Sequence, residues 1–411
     1  MFFAVEDALI VSMGETIVIF LAVACAIYIV TQRIGMPYTI GLVLAGLLAG
    51  LIGESGSVHL SAGLVFYGFL PTLLFEAAVG LEARYLVKDW WRIAVLAVPG
   101  VLVAFGLTAL GVHFVGGMAW GIAVLFSALI AATDPVSVVA LFRTLGVPAR
   151  LTSLINAESL FNDGTAAVLF AVALAGVTAG GVSIGSAAVD FVWMFGGGFA
   201  LGVGVGYLAS LVHHLVDDHL VEITISTIAA YGSFFLGHAL GVSPVVACVM
   251  AGVVIGNYGR HAAMTPAVRD ALEAFWEYAA FAANSLIFLL IGTSIYESGA
   301  WSDVSLVAIA FVVTVAARAV IIYSAGLASR LEREPLPWAW QHVLTWGGLR
   351  GTVALALVLS VPADLAGRET LQTVTFGVVL LSLVGQGLTV PPLVRYLKLG
   401  AGAEEDVRTT S

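Results

Sequence analysis

Charged residues are scarce in this chain of 411 residues: Lys and Arg number 16, Asp and Glu 26, together 10% of the whole. Soluble domains average about 25% charged, so a water-facing surface of ordinary extent is excluded, and with it a soluble enzyme or a nucleic-acid binder. A hydrophobic content of 60% equally excludes a disordered chain. Cysteine is nearly absent. Cys25 and Cys248 both sit in apolar runs, which offers neither a disulfide framework nor a metal site. No polar stretch reaches domain size, and only 12 residues follow Leu399. A signal peptide is also missing, since Glu6, Asp7 and Glu15 stand where its basic region would be. What is abundant is hydrophobicity, with a mean hydropathy of +1.05. The composition is that of a polytopic, all-α membrane protein.

A helical span needs about 20 mostly apolar residues. By that measure thirteen segments qualify, near 14–32, 36–53, 63–82, 90–115, 117–142, 151–178, 187–212, 220–240, 243–258, 272–296, 301–328, 337–361 and 370–396. Short breaks such as Gly35-Met36-Pro37, Gly146-Val147-Pro148 and Pro335-Leu336-Pro337 separate them. Basic residues mark cytoplasmic loops. Arg33, Arg84, Lys88, Arg92, Arg143, Arg150, Arg260, Arg269, Arg330, Arg333, Arg395, Lys398 and Arg408 all follow odd-numbered spans or flank those loops. Arg368 alone falls on the other side, and Arg318 and Arg350 lie within spans. The N-terminus is therefore expected outside and the C-terminus in the cytoplasm of a cell membrane.

The body reads as duplicated. Pro37 with Ala45-Gly46-Leu47-Leu48-Ala49-Gly50 in span 2 is echoed 206 residues later by Pro244 with Ala251-Gly252-Val253-Val254-Ile255-Gly256 in span 9. Leu74-Phe75 with Gly80 in span 3 is echoed by Ile287-Phe288 with Gly292 in span 10. Each match pairs span n with span n+7. Seven is odd, so the two repeats have opposite topology, a layout common among secondary transporters.

An ionisable residue at a helix centre costs roughly 2.5–3.5 kcal/mol on insertion scales and is a functional candidate by default. Span 5 holds Ala132-Thr133-Asp134-Pro135, where proline removes a donor and clashes with the preceding turn. Read as two half-helices, Asp134 becomes an N-cap and Pro135 the first helical residue. The first half then ends near Thr133 in carbonyls without helical partners, a setting that suits a small hard cation; a proline-kinked structural helix is the alternative. Span 12 has the counterpart Gly347-Gly348-Leu349-Arg350-Gly351, whose glycines weaken the helix. In span 6, helical spacing puts Ser159, Asn162 and Asp163 on one face, so that Ser159 and Asp163 can share a ligand with Thr133, whereas Glu158 points elsewhere. A buried acid needs a partner. Arg318 is the expected one for Glu158, and Arg350 is expected to neutralise the crossing of the broken helices.

These motifs resemble the sodium/proton antiporters of the exchanger branch of the monovalent cation:proton antiporters, the group of prokaryotic Na⁺/H⁺ antiporters and animal sodium–hydrogen exchangers. The residues carrying the resemblance are Phe75-Glu76, Thr133-Asp134-Pro135, Glu158-Ser159-Leu160-Phe161-Asn162-Asp163 and Gly347-Gly348-Leu349-Arg350-Gly351. The resemblance implies thirteen transmembrane helices in two inverted repeats, with broken helices 5 and 12 crossing in the core. It divides the chain into a dimerisation domain (1–82 and 216–297), a core transport domain (83–180 and 298–399), a linker helix (181–215) and a short tail (400–411), in a homodimer. It makes Asp163 the cation- and proton-binding carboxylate, with Ser159 and the Thr133 carbonyl as further Na⁺ ligands. Asn162, Asp134 and Glu76 become a supporting polar network, Glu76 reaching the site from across a cleft, and Glu158 with Arg318 or Arg350 a structural ion pair. The large cytoplasmic region of the animal exchangers is missing, which implies a prokaryotic housekeeping form that regulates internal pH and sodium.

The chemistry follows independently. A carboxylate in a half-dry cavity resists ionisation and takes either a proton or a cation. Competition for one Asp163 is sufficient for coupled exchange, and with Asn162 neutral the expected stoichiometry is one proton per cation. The expected substrates are Na⁺ and H⁺, with no cofactor and no enzymatic activity. Oxygen ligands do not separate Na⁺ from Li⁺ or K⁺, so a K⁺/H⁺ antiporter of the same fold is the alternative. A cation channel is a further one, against which single-copy acids and a duplicated body weigh. His213, His214, Asp217, Asp218 and His219 read as a solvated polar stretch, and His238 as a hydrogen-bonded core histidine. Gly198, Gly202 and Gly206 mark a close helix contact with a neighbour from either this chain or a second protomer.

Overall fold

The computed structural model describes residues 2–52, 63–181, 183–215, 218–259, 264–297, 303–332 and 334–400. Asp217, the tail beyond 400, and Glu54, Arg260, Arg333 and Arg408 lie outside the described residues. The described secondary structure is helical throughout, without a strand. In chain order the helices are α1 (Phe2–Ile34), α2 (Tyr38–Ile52), α3 (Leu64–Val79), α4 (Ala83–Phe114), α5 (Trp120–Ala131), α6 (Val136–Leu145), α7 (Ala149–Thr178), α8 (Ile184–His213), α9 (His219–Ala239), α10 (Pro244–Gly259), α11 (Pro266–Glu297), α12 (Val304–Ala328), α13 (Trp338–Trp346), α14 (Thr352–Leu359) and α15 (Arg368–Tyr396). Eight are long and apolar enough to cross a bilayer by length and composition, while α2, α3, α5 and α10 are shorter apolar helices.

Each of the thirteen expected segments contains helix, and the two holding Pro135 and Gly347–Gly351 are interrupted, at 132–135 and 347–351. The boundaries differ where charge enters a helix. α4 begins at Ala83, ahead of the expected 90, because its first turns carry Arg84, Lys88, Asp89 and Arg92, which a hydropathy count passes over. These charges are used. Asp89, 2% exposed, accepts from Arg150 Nε and Nη2 at 2.6 and 2.7 Å and from Arg92 Nη1 at 2.6 Å. Arg92 also reaches Glu332 at 2.6 Å and the Glu334 carbonyl, and Glu334 accepts from Arg150 at 2.7 Å and pairs with Lys88 at 3.0 Å. The clamp ties α4, α7 and the loop before α13 at one end of the bundle.

Glycine decides which helices touch. A Cβ on Gly46 of α2 would collide with the Leu289 carbonyl and Gly292 of α11, while Cβ atoms on Gly252 and Gly256 of α10 would collide with Ala78 and Val79 of α3. Span 2 thus rests on span 10, and span 9 on span 3. Exchanging span n with span n+7 turns one contact into the other, the relation a duplicated body requires. Gly198 of α8 abuts the carbonyl of Ser243, which caps α10, and Gly202 and Gly206 abut the Ala247 and Ala251 carbonyls of α10, so the neighbour of that stripe is this chain's own helix.

Two readings of polar residues need correction. His213 is fully buried, not solvated, and its Nδ1 lies 3.1 Å from Oε2 of the equally buried Glu222; Asp218 of the same stretch caps α9 through the amides of Leu220 and Val221. The signal lay three residues beyond the stretch, in a lone Glu222 on an otherwise apolar helix. His238 is exposed, and its only side-chain hydrogen bond among the described residues is a long one of 3.4 Å with the Tyr67 hydroxyl.

Candidate functional site

The two interruptions meet. The Asp134 amide donates to the Leu349 carbonyl at 2.8 Å, joining the broken helices by their backbones. Asp134 stands one residue further out than an N-cap: the Pro135 carbonyl accepts the first helical bond from Val139 at 2.7 Å. The Asp134 carboxylate still serves that helix end, with Oδ1 accepting from the Val136 amide at 2.9 Å. Its Oδ2 turns to the other break and accepts from the Thr352 hydroxyl at 3.1 Å. The glycines of the second break give these groups room. A Cβ at Gly351 would occupy the Asp134 carboxylate, and one at Gly348 would occupy the Arg318 guanidinium.

The sequence expects unpartnered carbonyls near Thr133, at the end of the first half-helix. Those of the two residues before it, Ala131 and Ala132, accept from Arg350 Nη1, at 2.9 and 3.1 Å. A protein guanidinium therefore satisfies the C-terminal end of α5, and Arg350 takes no part in an ion pair with Glu158. That pair belongs to Arg318, whose two terminal nitrogens reach Glu158 Oε1 and Oε2 at 3.1 and 3.0 Å, a bidentate arrangement. Arg318 Nε donates in addition to the Leu344 carbonyl of α13 at 2.9 Å, so one side chain ties α12 to α7 and to the broken helix.

On α7, Asn162 faces the first break. It accepts from the Thr133 amide at 3.1 Å, donates to the Thr133 hydroxyl at 2.6 Å and donates to Glu158 at 3.0 Å. The Thr133 hydroxyl in turn donates to Ser159 Oγ at 2.9 Å. Asp163, one residue beyond Asn162 and 5% exposed, differs from all of these: its Oδ1 has no hydrogen-bond partner among the described residues. It lines a void of about 30 Å³ together with Leu73, Ala77, Thr133, Asp134 and Thr352. A buried carboxylate oxygen left unpaired is costly, and the hydroxyl oxygens of Thr133 and Ser159, like the carboxylate of Asp163, are hard donors of the kind a small cation takes.

Glu76 does not join this group. It lines a separate, wider cavity of about 540 Å³ with Arg143, Asn257, Arg269, Glu273 and Glu277, next to the void through its sequence neighbour Ala77. One helical position turns the glutamate to the other side of α3.

Three residues were not anticipated: Thr352, Ser382 and Gln386. Ser382 accepts from the Arg350 amide at 3.0 Å and donates to Gln386 at 2.7 Å, and Gln386 donates to the Trp346 carbonyl at 3.1 Å. The last two sit in a π-helical turn of α15, Ser382–Gln386, a distortion frequent at functional sites. Their signal was available as a buried Ser and Gln four residues apart within an apolar span.

Residues 19–396 match the family described as sodium/hydrogen exchanger, transmembrane. The Na⁺/H⁺ antiporter ApNhaP of Aphanothece halophytica is 40% identical over 89% of this chain and 70% of its own length. NhaS2 of Synechocystis sp. is 38% identical over 95% of this chain and 72% of its own, and NhaP of Pseudomonas aeruginosa 34% over 82% of each. In fold the chain is similar to the solved structure of the sodium proton antiporter MjNhaP1 of Methanocaldococcus jannaschii, at 18% identity and a TM-score of 0.75, covering 93% of this chain and 99% of that one. A match running through almost all of the helical body, with relatives of 34–40% identity, leads to one conclusion: the chain belongs to the family of transmembrane sodium/hydrogen exchangers.

Proposed function

We propose that the protein is a secondary antiporter exchanging Na⁺ for H⁺ across a cell membrane, with the two ions competing for Asp163. The observation that carries this reading is the charge count at the crossing. Five ionisable residues are buried there: Asp134, Glu158 and Asp163 against Arg318 and Arg350. Arg318 is engaged by Glu158 and Arg350 by carbonyls, so one negative charge is left over, and the acid with an unpaired oxygen is Asp163. One proton or one Na⁺ cancels it, which supports one-for-one, electroneutral exchange. Ser159 and Thr133 are the further Na⁺ ligands in this reading, and Asn162 holds them in register.

The exchange runs by alternating access. The core that moves comprises α4–α7 and α12–α15, the elements that hold the crossing; α1–α3 and α9–α11, locked by their glycine contacts, form the dimerisation domain, and α8 links the two. The 540 Å³ cavity, ringed by Arg84, Arg143 and Arg269, opens to the cytoplasm, with the N-terminus outside and the protein a homodimer in the bilayer. Such a carrier serves control of internal pH and sodium.

The test uses everted vesicles with an imposed pH gradient and a pH-sensitive dye, to which Na⁺, Li⁺ or K⁺ is added in turn. Na⁺ should dissipate the gradient with wild type and fail to do so with Asp163→Asn. An equal response from the variant would remove Asp163 from the site, and a response to K⁺ alone would replace the substrate. Current that tracks transport at zero proton gradient would refute the one-for-one count.

A further inference from the structure

The wide cavity beside the site has a feature that ion binding at Asp163 does not use. Of its charged lining, Glu82 is paired with Arg84 at 2.6 Å, and Arg269 and Glu273 each have contacts of their own. There remain Glu76 on α3, Glu277 on α11 and Arg143 in the last turn of α6. Glu76 is half-buried, and no side-chain hydrogen bond or direct ion pair links it or Arg143 to another described residue. Arg143 and Glu277 share the lining of this cavity with Glu76. Arg143 is exposed to the cavity, and its helix begins at the break that holds Asp134.

A charged cleft with low-dielectric walls concentrates counter-ions by ten- to a thousandfold. Two carboxylates here attract cations, and one guanidinium opposes them. Resting on the antiport reading above, we propose that Arg143 is a specificity-determining residue of the entry path: a fixed positive charge that competes with arriving Na⁺ for the field of Glu76 and Glu277 and so sets the apparent affinity on this side of the membrane. The placement on α6 gives the effect a direction. Arg143 lines this cavity, so it acts on Na⁺ arriving through it and leaves arrival from the opposite face alone. A charge that merely complemented the C-terminal dipole of α6 would have no such sidedness.

The experiment compares wild type with Arg143→Gln and Arg143→Lys, measuring Na⁺-driven proton movement in everted and in right-side-out vesicles, at low ionic strength and again with added choline chloride. In everted vesicles Arg143→Gln should lower the apparent KM for Na⁺ by about three- to tenfold, as removal of one unit charge from such a cleft implies, with the maximal rate unchanged. Arg143→Lys should keep the wild-type KM. The difference should shrink as choline screens the cavity and be absent in right-side-out vesicles. An unchanged KM, a shift of equal size from both faces, or equal shifts in Gln and Lys would each overturn the assignment. If wild type moves no protons in response to Na⁺, the antiport reading itself fails, a result distinct from any failure of Arg143.

Discussion

Gly348 carries no chemistry of its own, yet its replacement should cost as much as cutting the ion pair it faces. A Cβ at this position would fall on the Arg318 guanidinium, among Nε, Cζ and Cδ. The guanidinium cannot yield by a small shift, because its Nε is committed to the Leu344 carbonyl and its terminal nitrogens to Glu158. Arg318 is 8% exposed and Glu158 2%, and breaking a buried pair by displacing one partner costs about 3–5 kcal/mol. Unfolding entropy of about 2.1 cal/mol/K per residue gives a chain of this length roughly 0.9 kcal/mol/K, so Gly348→Ala should lower the apparent Tm by about 3–6 °C. Thermal unfolding of the detergent-solubilised protein reads this directly. The decisive measurement is a double-mutant cycle with Arg318→Leu combined with Glu158→Leu. Without the guanidinium, Gly348→Ala should lose most of its cost, a coupling well above the additivity error of about 0.5 kcal/mol. Equal cost in both backgrounds would mean that Gly348 matters through its backbone alone, and the argument from Arg318 would fall.

Asp134→Asn should leave stability within about 1 kcal/mol of wild type, since the amide oxygen still accepts from Val136 as a capping group does. It should nevertheless raise the KM for Na⁺, because it removes a negative charge from a crossing whose surplus is one; a wild-type KM in the vesicle assay would count against that charge argument. For Glu334, the hydrogen bond from Lys88 and then that from Arg150 hold its carboxyl below the ordinary value of 4.5. A carboxylate depressed in the folded state stabilises above its unfolded pKa and loses that contribution as pH falls through its folded one. The Tm gap between wild type and Glu334→Gln should therefore be constant above about pH 5 and close as the pH drops below 4.5. A gap that widens towards acid would reverse the assignment.

Much of this architecture can be read from sequence because the bilayer enforces it. Long apolar runs must be helices, and Pro135 and the glycines around Arg350 must interrupt them. Arg318 could be assigned to Glu158 because so few cations were available. The limits are equally physical. Nothing in the spacing of Ala131 and Ala132 says that Arg350 will take their carbonyls, since the two stretches lie more than 200 residues apart. The resemblance assigns Glu76 to the site, whereas its neighbour Ala77 is the residue that lines the void, and one position on a helix is a turn of about 100°. Thr352, Ser382 and Gln386 are ordinary polar side chains until the backbone groups they satisfy are located. The glycines at 348 and 351 read as flexibility, whereas their part is to leave volume for a guanidinium and a carboxylate.

The contact of Gly46 with Gly292 brings backbone against backbone, with no rotamers between to adjust. The opposite side of the same helix is different: Leu44, Leu48 and Leu51 are 37, 58 and 61% exposed. A population of variants selected only for growth should therefore split α2 lengthwise. Any side chain of suitable hydrophobicity will be accepted along one edge, and at Gly46 on the other not even a methyl group. Adaptation to a thicker, thinner or more fluid membrane can then proceed by redecorating the outer edge, while the frame that carries the moving parts keeps its dimensions.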